Sequence, residues 1–241
     1  MSTGCAVCDR PTSHTFCLDC QRQLPAISRT TSPAVTDAAI TGNAAATHAV
    51  QGWYKDETHS LPVGALGLYS GTLKRAILAM KYNHRPEVAG ILGHQLGQQW
   101  AQTHPSFLTP SAIYAVPVPL HRQRRSQRGY NQAELIARAF CKTSGLPLLA
   151  DGLERTQATV PQHQLSLIER QKNLAEAFYP GKALQRICRN AQRKTTQTPG
   201  PAAIIIDDIY TTGTTARNAA KTLTEAGMPV LGILAIARAM L

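Results

Sequence analysis

Residues 204–216 read Ile-Ile-Ile-Asp-Asp-Ile-Tyr-Thr-Thr-Gly-Thr-Thr-Ala. The run Ala202 to Ile206 is short, apolar and β-branched, as a strand buried on both faces should be. Asp207 and Asp208 follow at once. Thr211, Thr212, Gly213, Thr214 and Thr215 then form a turn of small, hydroxyl-bearing residues. Ala216, Ala219, Ala220 and Leu223 recur at helical spacing after it. Gly213 lets the chain turn tightly. The unpaired N–H groups that open a helix, together with threonine hydroxyls, make a cradle for a phosphate. The two carboxylates just ahead of it are placed to accept hydrogen bonds from vicinal sugar hydroxyls. Strand, acid pair and loop together describe a ribose-5-phosphate site. The alternative is an ordinary strand–turn–helix with an acidic strand end. No Gly-Lys-Ser/Thr closes the loop, which excludes a P-loop.

Working outward, Val230 to Ala237 reads as a strand after a helix stop at Gly227. Upstream, Ala112 to Val116 reads as a strand and Leu146 to Leu149 as another. Between them Asn131 is the expected N-cap of a helix with Glu134 at its third position. Leu135, Ile136, Ala139 and Phe140 form that helix's buried face, and Gly145 ends it. Thr72 to Tyr82 and a second segment from Pro86 carry helical apolar spacing through Leu73, Ala76, Ile77 and Met80, then Val88, Leu92, Leu96 and Trp100. The order strand, helix, strand, lid, strand, helix, strand predicts an α/β fold with a doubly wound parallel sheet. Arg122, Arg124, Arg125 and Arg128 leave the end of the strand at 112–116, so a basic loop is expected where open α/β sheets bind ligands. The competing reading is a solvated basic turn. Residues 156–176 are polar and turn-prone, and a mobile lid with a short helix near Ser166 is expected there. Gly181 to Pro201 reads as irregular, with five basic residues and no acid.

At the N-terminus, Cys5-x2-Cys8-x8-Cys17-x2-Cys20 pairs two Cys-x-x-Cys knuckles. That spacing predicts a closed four-thiolate site, which suits structural zinc and leaves no open position for catalysis. His14, between the pairs, is the weaker candidate ligand, and two disulfides are the alternative. Cys141 lies in a helical pattern and reads as a small core residue. The expected organisation is a zinc module over 1–24, a linker or disordered insert rich in Ala, Thr and Ser over 25–62, and an α/β domain over 63–241.

The net charge is +11, and it is uneven. Residues 1–60 hold 4 Lys/Arg against 5 Asp/Glu, whereas residues 61–241 hold 21 against 9. Such a field favours phosphate-bearing partners, although plain solubility accounts for charge equally well. Nothing ahead of Cys5 resembles a signal peptide. The longest apolar stretch, Met228 to Ala237, is too short to span a bilayer. The expectation is a cytoplasmic protein.

Four apolar residues, two acids and Thr-Gly-Thr-Thr resemble the signature of type I phosphoribosyltransferases, which bind phosphoribosyl pyrophosphate (PRPP). Further segments come in order: the four-cysteine module, Tyr69-x-Gly71 with Lys81-Tyr82, Val116-Pro-Val-Pro119, Arg128-Gly-Tyr-Asn-Gln132, and Arg155 with Pro161-Gln162, Leu165, Arg170 and Asn173. Together they resemble the ComF (competence protein F, GntX-like) family, apart from residues 23–60 and 181–201. That resemblance implies a type I phosphoribosyltransferase-like parallel sheet flanked by helices, and a part in natural transformation, the uptake and handling of DNA. It implies that Asp207 and Asp208 bind the ribose hydroxyls, with a water-bridged magnesium, and that Thr211 to Thr215 hold the 5-phosphate. Arg122, Arg124, Arg125 and Arg128 are the pyrophosphate candidates, and Arg155, Gln162 and Arg170 the lid candidates. Magnesium carried by the pyrophosphate would neutralise charge on the leaving group. The acceptor is unspecified, and Asp208 is the one candidate base. A PRPP-responsive DNA-binding or adaptor protein without turnover is the alternative. Its expected partners are single-stranded DNA, held through Arg186, Arg189, Arg193 and Lys194 on a surface loop, and competence proteins such as a helicase or recombination mediator.

Overall fold

The computed structural model describes residues 3–25, 53–55, 61–104, 113–155, 178–193 and 200–239. In chain order the elements are β1 (Thr3–Gly4), β2 (Pro11–Thr12), α1 (Leu18–Gln23), β3 (Trp53–Lys55), β4 (Pro62–Leu68), α2 (Gly71–Tyr82), α3 (Glu87–Thr103) and β5 (Ile113–Pro117). They continue with α4 (Arg122–Arg128), α5 (Gln132–Ser144), β6 (Leu153–Arg155), β7 (Phe178–Pro180), α6 (Lys182–Gln192), β8 (Ala202–Tyr210), α7 (Thr214–Glu225) and β9 (Val230–Arg238).

The main sheet has the order β3-β4-β9-β8-β5. Strands β4, β9, β8 and β5 are mutually parallel, and β3 joins the edge antiparallel to β4. The expected parallel sheet flanked by helices is present. Strand β8 has a neighbour on each side, and its alternation divides the core. Ile204 and Ile206 join Leu234 and Ile236 under α2, α3 and α5. Ala203 and Ile205 join Ile233 and Ala235 under α6 and α7. Burial on both faces explains why β8 and β9 read as nearly unbroken apolar runs. The expected apolar faces of α2, α3 and α7 are all buried.

Helix α5 begins and ends as its caps dictate. The Asn131 side chain accepts a hydrogen bond from the Ala133 N–H at 3.2 Å, and Gly145 takes the left-handed conformation at φ 78°. Glu134 does not complete a capping box by reaching back. It accepts from Arg138 one turn on, at 2.7 Å.

Four sequence expectations are corrected. The basic loop after β5 is the helix α4, because Arg and Gln are good helix formers and Gly129 supplies the left-handed stop. The irregular stretch after Gly181 is largely the helix α6, whose Leu184 and Cys188 are buried. Leu146 to Leu149 forms a single parallel bridge, Leu148 to Ala115, since Pro147 has no N–H to extend a ladder. Residues 53–55, inside the expected linker, form the edge strand β3. Most of the rest of that linker and the expected lid at 156–176, with Gln162 and Arg170, lie outside the described residues.

The cysteine module packs against the α2–α3 side of the sheet. Cys5, Ala6, Phe16, Cys20 and Leu24 belong to the same core cluster as Leu73 and Val88. Polar ties secure it: Arg85 Nη2 donates to the Gly4 carbonyl at 2.9 Å, and Thr72 Oγ1 donates to Gln23 Oε1 at 2.7 Å.

At the far end of α3, His104 is 3% exposed and stacks on Trp100 with ring centroids 3.9 Å apart. Burial disfavours the imidazolium and lowers the His104 pKa to about 4. The unfolded chain, with an ordinary value near 6.5, binds this proton more readily. His104 therefore adds stability that is complete above pH ~6.5 and is lost as pH falls through 4, by about 3 kcal/mol in all. Urea unfolding between pH 7 and 4 should show this slope. Replacing His104→Phe should remove it, and an unchanged slope in the variant would contradict the assignment.

Candidate functional site

The ladder between β8 and β5 ends at Pro117 opposite Ile206, one residue short of the acid pair. On its other side β8 stays paired with β9 as far as Tyr210 opposite Arg238. After β5 the chain passes to α5 on one face of the sheet, and after β8 it passes to α7 on the other. Neighbouring parallel strands whose connections leave to opposite faces open a crevice at their carboxyl ends. Asp207 and Asp208 stand at that crevice.

The two acids differ. Asp208 is buried, and its Oδ1 receives Lys81 Nζ from the last turn of α2 at 3.0 Å. Its Oδ2 is also buried and has no hydrogen-bond partner among the described residues. Asp207 keeps part of its surface exposed and accepts the Asp208 N–H at 2.8 Å on Oδ1. Burial, and then the like charge of Asp208, raise the Asp207 pKa to about 7. The Asp208 N–H, Lys81 and Arg155 pull against that rise.

Beyond the acids, Thr211 and Thr212 are exposed and Gly213 is buried at φ 73° as the N-cap of α7. The left-handed backbone demands glycine there. A Cβ on Gly213 would lie 2.2 Å from the Tyr210 hydroxyl and 2.9 Å from Arg217 Nη1. Arg217 braces the turn. Its Nη1 donates to the Thr212 carbonyl at 2.7 Å, and its Nη2 donates to Thr214 Oγ1 at 2.9 Å. Thr212 and Thr214 share a hydroxyl contact of 3.1 Å. The result is a braced turn of hydroxyls at the start of a 12-residue helix, whose first N–H groups have no intrahelical acceptor.

The arginines divide into two groups. Arg125 lies 3.8 Å from Glu134, and Arg128 donates to Gln132 at 2.7 Å while covering the Tyr82 ring. Those two cations serve the α4–α5 corner. Arg124 and Arg155 are close enough to interact electrostatically, and Arg155 also senses Asp207. Burial, then Arg124, lower the Arg155 pKa. Thus β6 brings positive charge to the acid pair, and Arg124 of α4 lies close to that charge. Arg122 is exposed on α4. Lys81, Tyr210 and Arg217 carry no assigned role in the sequence reading. Arg217 sits one turn into the helix, a position from which a long side chain reaches back to the turn. Lys81 meets Asp208 only through the tertiary fold.

At the N-terminus, Cys5, Cys8, Cys17 and Cys20 lie with their sulfur atoms all within 4.8 Å of one another. A tetrahedral zinc site with bonds of about 2.3 Å places its sulfurs about 3.8 Å apart, so these residues fit a four-thiolate metal site. Burial opposes ionisation of Cys5, but N–H groups from Cys17, Val7 and Cys8 outweigh it and bring the thiol down to about 6. Among the described residues no helix is long and apolar enough to cross a membrane.

The chain is 27% identical over 172 residues to DNA utilization protein YhgH of Salmonella typhi, covering 71% of this chain and 70% of that protein. It is 32% identical over 130 residues to competence protein F of Haemophilus influenzae, covering 54% and 51% of the two chains. It is 25% identical over 159 residues to competence protein ComFC of Bacillus subtilis, covering 66% and 56%. No protein-family model matches the chain.

The Lys81–Asp208 pair makes a stability prediction. Replacing Lys81→Met leaves Asp208 buried with no counter-ion and should cost roughly 3 kcal/mol. Adding Asp208→Asn should restore most of that loss. Urea unfolding of the single and double variants measures both. Equal destabilisation by the two would show that the ion pair does not set the cost.

Proposed function

We propose, from the ComF family assignment that these relatives support, that the chain binds PRPP at the end of β8 and acts in natural transformation. The observation that carries the ligand is the buried Oδ2 of Asp208, which has no hydrogen-bond partner among the described residues. An unsatisfied buried oxygen costs about 1–3 kcal/mol, and a sugar diol supplies the donor it lacks. Asp207 and Asp208 take the ribose hydroxyls in this reading, and Thr211 to Thr215 take the 5-phosphate. Arg124 and Arg155 face the pyrophosphate, and Arg122, two residues from Arg124 on α4, remains a further candidate for it. Arg125 and Arg128 are engaged at the α4–α5 corner.

If the ligand is turned over, an acceptor nucleophile forms a bond to ribose C1 as the C1–oxygen bond breaks. Pyrophosphate leaves with the electron pair. Magnesium supplies neutralisation of that leaving charge when bound, and the arginines add fixed positive charge at the same place. A second reading, PRPP binding without turnover, is favoured by the Lys81–Asp208 pair, which ties up one oxygen of the carboxylate suggested as a base. Pyrophosphate release in the presence of candidate acceptors separates the two. The four cysteines hold structural zinc in this account. Competence proteins such as a helicase or recombination mediator are its macromolecular partners.

Asp207→Ala combined with Asp208→Ala should abolish PRPP binding, read by calorimetry with magnesium present, while circular dichroism shows a retained fold. Unchanged affinity would refute the site. Metal analysis should return about one zinc per chain, lost on replacing Cys5→Ser and Cys20→Ser. Because those cysteines lie in the main core cluster, zinc removal should lower the melting temperature of the whole domain. A folded, zinc-free protein with intact thiols and unchanged melting would contradict this.

A further inference from the structure

The guanidinium of Arg217 is folded back over the turn that precedes its own helix. Its Nη1 donates to the Thr212 carbonyl at 2.7 Å, and its Nη2 donates to Thr214 Oγ1 at 2.9 Å. A guanidinium has donors and no acceptor, so Thr214 Oγ1 receives. The Thr214 and Thr212 hydroxyls lie 3.1 Å apart. A hydroxyl that accepts from a cation becomes the stronger donor of its own proton. The favoured order therefore runs from Arg217 to Thr214 and from Thr214 to Thr212. Thr212 is exposed, and its proton is left for a group outside the turn. The charge of Arg217 is thereby relayed outward as a hydroxyl donor.

A brace alone needs no charge here, and the charge works against the helix. The start of α7 is the positive end of its dipole, where a cation is unfavourable. No acidic residue stands in the first turn to offset it. The Asp208 carboxylate upstream is already answered by Lys81 at 3.0 Å. Arg217 Nη1 would lie 2.9 Å from a Cβ on Gly213, the N-cap itself, so the cation is held beside the first N–H groups of α7. An anion at the turn relieves this accumulation of positive charge. A separate observation marks the same strand end as a place for a ligand: Asp208 is 4% exposed, and its Oδ2 has no hydrogen-bond partner among the described residues.

We propose that Arg217 sets the charge of the ligand that the turn accepts: a phosphate monoester dianion, in preference to a singly charged oxyanion of the same shape. Backbone N–H groups and neutral hydroxyls accept any tetrahedral oxyanion. A full cation adds an attraction that grows with the charge of the ligand, so it separates a phosphate ester from a sulfate ester. Arg217 is thus a positioning residue for the Thr214 and Thr212 hydroxyls and a counter-charge for what they hold. The proposal rests on the reading that seats the 5-phosphate of PRPP on Thr211 to Thr215.

The test uses the full-length protein with PRPP, ribose 5-phosphate and ribose 5-sulfate, the last two alike in shape and unlike in charge. Affinities are read by amide-shift titration at about pH 7.5, where the phosphate ester is close to a dianion. The wild type should bind the phosphate ester at least about tenfold more tightly than the sulfate ester, the size of one charge-assisted hydrogen bond. Arg217→Gln should cut that preference to about threefold or less. Arg217→Lys should keep most of the preference while binding both esters more weakly, since it restores the charge without the two-pronged brace. Thr214→Val breaks the relay with the charge left in place. It should also lower the preference, and it keeps the test open if Arg217→Gln does not fold, which circular dichroism reads. A purely structural brace would weaken both esters alike and leave their ratio unchanged. A ratio near one in a wild type that binds PRPP, or an unchanged ratio in Arg217→Gln and Thr214→Val, would overturn the proposal. A wild type that binds no PRPP overturns the reading of the site itself, and this proposal falls with it.

Discussion

Strand β8 has to be apolar enough to be covered on both faces and yet deliver two adjacent carboxylates to the edge of the core. The ion pair between Lys81 and Asp208 reconciles those demands. A buried carboxylate without a counter-ion would destabilise the centre of the sheet by several kcal/mol. Lys81 arrives from α2, so the helix after the first parallel strand is what makes the acidic end of β8 tolerable. Asp207, one residue earlier, points its partial exposure at the crevice and keeps a proton far more readily than an ordinary aspartate. Two neighbouring acids thus have unlike characters because of what packs against each.

The same dependence runs to the N-terminal module. Its cysteines, Phe16 and Leu24 share a core cluster with α2 and α3, and Gln23 receives the Thr72 hydroxyl at the start of α2. A metal ion that fixes the two knuckles would therefore also steady the helix that carries Lys81. On the opposite side of the sheet, α7 buries the small residues Ala216, Ala219 and Ala220 against the core, and Arg217 in its first turn braces the turn before it.

Legibility in the sequence follows locality. The strand, acid pair, turn and helix from Ala202 to Leu223 are readable because each step is set by neighbours in the chain. The caps of α5 are readable for the same reason. Strand β4 escapes the sequence reading because Pro62–Leu68 contains two glycines and owes its strand character to pairing with β9 and β3. Helices α4 and α6 read as loops when charge is weighed above helical periodicity. In α6 that periodicity is present, with Leu184, Ile187, Cys188 and Ala191 on one side, and it is the better guide. The pairing of Lys81 with Asp208 and the approach of Arg155 to Asp207 join distant segments, so no local pattern reveals them.

The account's central claim is that the turn from Thr211 to Thr215 and the acids before it receive a phosphorylated ribose. Backbone amide chemical shifts, followed while PRPP and magnesium are added to the full-length protein, test this most directly. The account predicts that the largest and earliest changes fall on Asp207 to Thr215, with smaller ones at Lys81 and Arg155. Saturable changes centred elsewhere, or none at all in a folded protein, would contradict it.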